Sequence, residues 1–325
     1  KEFLVRFRID GMLRTIEILP KHLHAYVVSR VKILSNMDIM ERRAPQDGQI
    51  RMNVLDRDVD IRSSTLPARY GEKIVLRILD KTSFTIGMDQ LGISAPVQTR
   101  LEEILTRGSG LLLVTGPTGS GKTTTLYSCL NRMRSPLTNI VTLEDPIEYE
   151  LLAGKSREGG ITQVQITPKS GFNFVEGLKA TLRQDPDIIF VGEIRDRDSA
   201  EIAFTASLTG HFLLSSLHTV GSAHTVTCLL DMGVEPYLIV STLRGVLAQR
   251  LVRVLCTHCK EAYKPPKKVL DHFALSWKMK VEHMDFYRPK GCPWCNKTGY
   301  RCRTGIFELM TMNDTLSRLI LDHAP

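Results

Sequence analysis

At the front of the chain Phe3, Val5, Phe7 and Ile9 alternate with Arg6, Arg8 and Asp10, the period-two rhythm of a strand with one apolar face. Asp10-Gly11 then supplies the residue pair of a tight hairpin. Leu23, Val27, Val31 and Leu34 recur at helical spacing and predict a helix that buries this face. Gln46-Asp47-Gly48-Gln49 reads as a second turn, and Ile74, Leu76 and Ile78 as a closing strand. Residues 1–85 therefore predict a small α/β domain. The pattern loosens over Thr82-Ser83-Phe84-Thr85-Ile86-Gly87, and residues 86–95 are expected to act as a linker.

From Pro96 onward short apolar runs alternate with helical stretches, the signature of a mostly parallel sheet whose strands are covered on both faces. The predicted strands are Leu111–Thr115, Ile140–Leu143, Ile188–Val191 and Phe212–Leu217. Each ends in glycine or polar residues, and open α/β sheets bind ligands where the carboxyl ends of their strands emerge.

Composition narrows the class without choosing a function. With 325 residues, 42% of them hydrophobic, the chain can bury a full core in one or two domains. No apolar run approaches the roughly 18 residues needed to cross a bilayer. The front end shows no signal-peptide pattern, and the expectation is an intracellular protein trimmed at its start. A net charge of +8 permits nucleic acid or an acidic membrane as a partner, but a solvated surface is the better account of it.

The strongest chemical signal is Gly116-Pro117-Thr118-Gly119-Ser120-Gly121-Lys122-Thr123, a GxxxxGK[ST] motif between an apolar strand and a helix. The glycines let backbone N–H groups turn onto a phosphate, Lys122 reaches the β- and γ-phosphates, and the Thr123 hydroxyl ligates Mg²⁺. Thr124 extends this cradle, and ATP is the expected ligand. Hydrolysis needs a carboxylate for the attacking water, and Glu193, closing the strand Ile188–Val191, is the candidate. Gly192 stands where many such enzymes place an Asp for Mg²⁺. Glu144, Asp145 and Glu148 follow the strand Ile140–Leu143, and His218 follows Phe212–Leu217. Each alone reads as an ordinary acid or histidine; together they are expected to ring the strand ends.

Cys256-Thr257-His258-Cys259 and Cys292-Pro293-Trp294-Cys295 form two CxxC pairs 32 residues apart. This spacing suits tetrahedral Zn²⁺, with His258 as a possible replacement ligand. Cys129, Cys228 and Cys302 are expected to be unpaired. Lys264, Lys267, Lys268, Lys278, Lys280, Arg288 and Lys290 make this insertion basic.

With these motifs in place, the chain resembles the secretion ATPase superfamily, specifically the type II secretion and type IV pilus assembly motors. Thr142-Leu143-Glu144-Asp145-Pro146-Ile147-Glu148 is similar to the family's aspartate box. Leu182-Arg183-Gln184-Asp185-Pro186-Asp187 with Val191-Gly192-Glu193-Ile194-Arg195-Asp196 is similar to its atypical Walker B segment. Thr209-Gly210-His211 through Leu217-His218-Thr219 is similar to its histidine box. Two first-domain stretches match as well, Glu41 to Gly48 and Asp60 to Pro67, the latter running on to Arg77.

The resemblance implies a RecA-like ATPase domain over 96–325, with a zinc subdomain at 254–305 and a PAS-like first domain. That first domain would supply Arg62 and Arg77 to the nucleotide, unless Asp60 or Glu72 pairs with them instead. It also implies a homo-hexamer at the cytoplasmic face of the inner membrane, docked on platform and cytoplasmic-domain proteins and driving type II secretion. Pilus assembly is the alternative, and a nucleic-acid translocase or a nucleotide-gated adaptor the outside readings. No nucleic-acid partner is expected, since no aromatic-basic interleaving is present. The sequence departs from the family at Val220-Gly221 and Cys228, and has a long loop at 152–159. Family members extend further at both ends.

Overall fold

The computed structural model describes residues 2–55, 57–80, 86–151, 160–167, 171–277 and 285–322. β1 (Phe3–Ile9) and β2 (Met12–Leu19) form the expected hairpin, with Ile9 opposite Met12. Asp10 and Gly11 turn it with positive φ (47° and 83°), as a two-residue loop between right-twisted strands requires. Helix α1 (Leu23–Leu34) follows, then an antiparallel sheet of β3 (Gln46–Val54), β4 (Arg57–Leu66) and β5 (Lys73–Asp80) with β4 central.

Two readings of this region need correction. Gln46 to Gln49 is the start of β3 and not a turn. Gly48 is needed for close approach: a Cβ there would lie 2.3 Å from the Ser35 carbonyl oxygen at the end of α1. The buried face of α1 is also displaced, because Val28 and Lys32 are buried whereas Val27 and Leu34 are exposed. Lys32 turns inward to pair with Glu72 (2.5 Å) and to donate to the Glu41 carbonyl (2.5 Å). An ion pair of this kind is stable in the interior only when its hydrogen bonds are satisfied.

The remainder is a seven-stranded sheet in the order β14-β11-β6-β10-β9-β7-β8. Its members are β6 (Gly110–Thr115), β7 (Ile140–Glu144), β8 (Ile161–Gln165), β9 (Ile188–Val191), β10 (Phe212–Leu217), β11 (Leu243–Leu255) and β14 (Tyr300–Thr311). All neighbours pair in parallel except β11 with β14. Helices α2 (Ala95–Leu105) and α3 (Lys122–Met133) cover one face. The other is covered by α4 (Phe174–Thr181), α5 (Arg197–Leu208), α6 (Ser222–Asp231), α7 (Pro236–Thr242) and α9 (Asp314–Leu321). Alternation along β6 divides the core: Leu111 and Leu113 face α5, while Leu112 and Val114 face α2 and α3.

The second half of β11 leaves the sheet and pairs with β14 alone, as a ribbon ending beside Cys256. The short strands β12 (Glu261–Ala262) and β13 (Tyr287–Arg288) and helix α8 (Lys267–Trp277) complete that lobe. In the stretch expected as a linker, Met88 is buried in the core under α2 and α3, and α2 begins at Ala95. Within the loosened stretch 82–87 that leads into it, residues 82–85 lie outside the described residues, as does the long loop 152–159. No helix among the described residues is long and apolar enough to cross a membrane.

Candidate functional site

The phosphate loop fills the gap between β6 and α3, and its glycines have separate reasons. Gly116, Gly119 and Gly121 all take positive φ (148°, 77° and 89°). Gly116 also lies so close to β11 that a Cβ would sit 2.4 Å from the Gln249 carbonyl oxygen. Pro117, Thr118 and Gly119 are exposed, Thr123 and Thr124 half-buried. The first N–H groups of α3 open toward the loop, which makes it an anion cradle.

Lys122 is 9% exposed and folds back over the loop, donating to the carbonyls of Gly116 (2.9 Å) and Pro117 (3.4 Å). Burial lowers its pKa, and Glu193 acts in the opposite direction. Its Nζ also lies 3.4 Å from His218 Nδ1, whose Nε2 is 3.2 Å from Glu193 Oε2. An ammonium can only donate, so Nδ1 accepts and Nε2 carries the proton given to Glu193. The other oxygen of Glu193 accepts a close hydrogen bond from Arg195. Burial raises the Glu193 pKa, but Arg195 and His218 outweigh it and the carboxyl is held below its ordinary range.

The sequence-predicted acids divide into two groups. Glu193 and His218 meet Lys122 above the loop. Glu144 is buried beneath α3, accepting from Tyr127 Oη, from Thr142 Oγ1 at 2.6 Å and from Gln163 Nε2 at 3.1 Å. Burial raises its pKa against these three donors. Asp145 and Glu148 are half-buried in the turn after β7, where Asp145 is close enough to raise the Arg195 pKa behind the larger effect of Glu193.

Gly192 has a packing reason of its own. Its N–H donates to Leu143 (2.8 Å), and a Cβ would lie 3.3 Å from that carbonyl oxygen and 3.6 Å from Glu144 Cα. An aspartate at this position would be forced against β7. His211 sits at the opposite end of β10, with Nδ1 3.0 Å from the Ala206 carbonyl oxygen at the end of α5, and takes no part in the cradle.

Arg62 and Arg77 are direct partners on β4 and β5 and so share one face of that sheet. Arg62 reaches across to the Ile147 carbonyl (3.4 Å) in the turn carrying Asp145 and Glu148. The acids expected to compete for these arginines have other cations beside them: Arg51 lies 3.7 Å from Asp60, and Lys32 takes Glu72. Sequence reasoning missed Tyr127, Gln163 and Gln249. It noted Arg195 only as part of a motif, although its spacing two residues past Glu193 was the available signal.

At the end of the ribbon the four sulfurs of Cys256, Cys259, Cys292 and Cys295 lie within 4.8 Å of one another. Separations of 3.9, 3.8 and 3.7 Å are recorded for the pairs 256–292, 259–295 and 292–295. A tetrahedron with metal–sulfur bonds of about 2.3 Å has edges of about 3.8 Å, so the spacing fits such an ion. Cys295 Sγ receives backbone N–H groups from Cys292 (3.2 Å) and Gly299 (3.1 Å). Burial pushes its thiol up, but these donors outweigh that and bring it down to about 5. The His258 ring lies 5.1 Å from that of Trp294 at a tilt of 50°, and His258 is not one of the four clustered residues. Cys129, Cys228 and Cys302 are free thiols, as expected.

The sequence matches the family described as Type II/IV secretion system protein over residues 1–324. The chain belongs to that family. It is 47% identical over 324 residues to the Type II secretion system ATPase E of Vibrio cholerae, covering 100% of this chain and 62% of that protein. Against the Type II secretion system protein E of Pseudomonas aeruginosa it is 48% identical, covering 98% of this chain and 62% of that one. The chain therefore spans about 62% of the length of these relatives. Among solved structures of similar fold, the pilus retraction motor PilT with bound ADP superposes with a TM-score of 0.64 at 25% identity, over 98% of this chain and 79% of PilT. The Legionella pneumophila ATPase DotB superposes at 0.68 with 18% identity, over 99% and 79% of the two chains, a likeness of fold. For this family member the α/β reading and the secretion-motor resemblance both hold.

Proposed function

We propose that this chain is the ATP-hydrolysing part of a type II secretion motor, and that Lys122, His218, Glu193 and Arg195 form the relay over its phosphate loop. The observation that carries the reading is their contiguity: Lys122 to His218 to Glu193, with Arg195 beyond, across the ends of β6, β9 and β10. ATP entering the cradle offers Lys122 phosphate oxygens in place of the Gly116 carbonyl, which frees His218 Nδ1. Glu193, ionised and held by His218 and Arg195, is placed to take the proton of the attacking water. Mg²⁺, held through the Thr123 hydroxyl with Asp145 nearby, would neutralise charge on the transferred phosphoryl group. Glu144, bound to Tyr127, ties the end of β7 to α3, and Glu148 follows Ile147, whose carbonyl accepts from Arg62, so both acids are placed to act from that turn. Arg62 and Arg77 supply guanidinium charge to the γ-phosphate from the first domain, within one subunit or across a hexamer interface. The four cysteines would hold Zn²⁺ as a structural ion with no open position.

On this reading the motor works at the cytoplasmic face of the inner membrane against platform proteins. Type II secretion is the preferred reading because relatives named for it are 47–48% identical over 98–100% of this chain. The test uses two variants. Lys122→Ala should abolish MgATP binding, and Glu193→Gln should bind MgATP while losing hydrolysis by about 10²- to 10⁴-fold. Undiminished turnover in Glu193→Gln removes Glu193 from its role. Unaltered binding in Lys122→Ala removes the cradle from the account.

A further inference from the structure

We infer that Gln249 is a positioning residue for the phosphate loop: from β11 it fixes the Ser120–Gly121 peptide so that the Gly121 N–H faces the nucleotide. The inference rests on the nucleotide-site reading above and deepens it.

The register of the sheet puts Gln249 in this place. β6 and β11 pair in parallel up to Thr115 opposite Ala248, and there β6 ends and its chain rises into the loop. β11 continues, so Gln249 lies directly beneath Gly116 to Gly121. Two loop glycines are shaped by it: a Cβ on Gly116 would meet the Gln249 carbonyl oxygen at 2.4 Å, and one on Gly121 would meet Gln249 Nε2 at 3.1 Å. The side chain is 3% exposed, and Nε2 donates to the Ser120 carbonyl at 2.6 Å.

A trans peptide is planar, with its C=O and the following N–H pointing in opposite directions. Drawing the Ser120 carbonyl down toward β11 therefore turns the Gly121 N–H up into the concave side of the loop. Gly121 has φ 89°, a conformation from which glycine can rotate the peptide plane at little cost. If the plane turned over, a carbonyl would face the phosphate where a donor is needed.

A second observation argues against simple filling. Gln249 Oε1 and Ser120 Oγ are buried with no hydrogen-bond partner among the described residues. An apolar side chain of the same size at 249 would avoid the penalty of the buried Oε1. Packing alone therefore favours a methionine at this position, and the amide donor is what the glutamine adds.

The test compares the unmodified chain with Gln249→Met and Gln249→Glu. MgADP affinity is read by calorimetry, KM against kcat by steady-state hydrolysis, and fold stability by thermal unfolding. Gln249→Met keeps the volume and removes the donor. It should weaken MgADP by about three- to tenfold, with the loss falling on KM more than on kcat. Gln249→Glu keeps the shape, cannot donate when ionised and places negative charge under the phosphates, so it should bind more weakly still. A lowered Tm with MgADP affinity within twofold of the unmodified chain overturns the inference, as does a Glu variant that binds normally. If the unmodified chain itself fails to bind MgADP, the nucleotide-site reading falls and this inference with it. Normal binding in the unmodified chain and in both variants overturns only the role of Gln249.

Discussion

The two charged centres of this chain are built on opposite plans. At the end of the β11–β14 ribbon four cysteine sulfurs converge on one point, and no lysine or arginine is among them. Over the phosphate loop the charges already satisfy one another, with Lys122 on loop carbonyls and on His218, and Glu193 between His218 and Arg195. Four sulfurs within 4.8 Å of one another have the spacing that a tetrahedral ion would fit. At the phosphate loop Lys122, His218 and Glu193 each already hold a protein partner, so nucleotide binding there is an exchange of partners. One centre is expected to hold structure together, the other to change contacts during a cycle.

The largest effect should follow from removing the ion. Metal binding to tetrahedral zinc sites contributes roughly 10–16 kcal/mol of apparent free energy, which is folding free energy where no site exists beforehand. A strong chelator, or Cys256→Ser, should therefore unfold the ribbon end while leaving the parallel sheet intact. The readouts are metal stoichiometry and, in a Trp277→Phe background, the fluorescence of Trp294, whose ring is tilted against His258 and lies 4.6 Å from the Arg301 guanidinium. Unchanged Trp294 emission after complete metal loss would show that the four sulfurs hold their geometry unaided, and the contrast with the phosphate loop would fail.

The next effect concerns Glu193, and its sign is fixed by its surroundings. Burial raises its pKa, but Arg195 and His218 bring it below the ordinary 4.5. A depressed carboxylate contributes stability that is present in full above about 4.5 and is lost as pH falls through the lower folded value. Glu193→Gln should flatten the acid limb of the stability–pH curve, alongside its loss of hydrolysis. Thermal unfolding between pH 3 and pH 5 measures this. An acid limb as steep as that of the unmodified chain would show that Arg195 and His218 do not stabilise the carboxylate.

How much of this was legible in advance depended on where each partner came from. β9 and β10 were read to the residue and β6 to within one, because buried parallel strands are continuous apolar runs that end where the chain turns. The phosphate loop and the CxxC pairs announce themselves because their chemistry is local in sequence. Lys32 misled the reading of α1, since hydropathy places a lysine outside and only Glu72, forty residues on, draws it in. Gly48 was read as a turn because its close neighbour Ser35 belongs to another element. Gln249 was invisible for a similar reason: its importance arises from β11 lying beside β6, a pairing between segments more than 130 residues apart. Glu144 was expected among the acids at the strand ends, yet the structure ties it to Tyr127 on the covering helix.

That difference between the two glutamates yields the smallest effect, with the opposite sign. Burial raises the Glu144 pKa above 4.5 despite donation from Thr142, Tyr127 and Gln163. A carboxyl raised in the folded state contributes stability that is complete below its unfolded value near 4.5 and is lost as pH climbs through the raised one. Glu144→Gln cannot ionise, so that part of the slope should disappear above about pH 4.5 while the acid limb due to Glu193 persists. Thermal unfolding across that range separates the two carboxyls. If Glu144→Gln instead flattens the acid limb, Glu144 is a stabilised carboxylate like Glu193, and the division between a helix-tethering acid and one held for the nucleotide is lost.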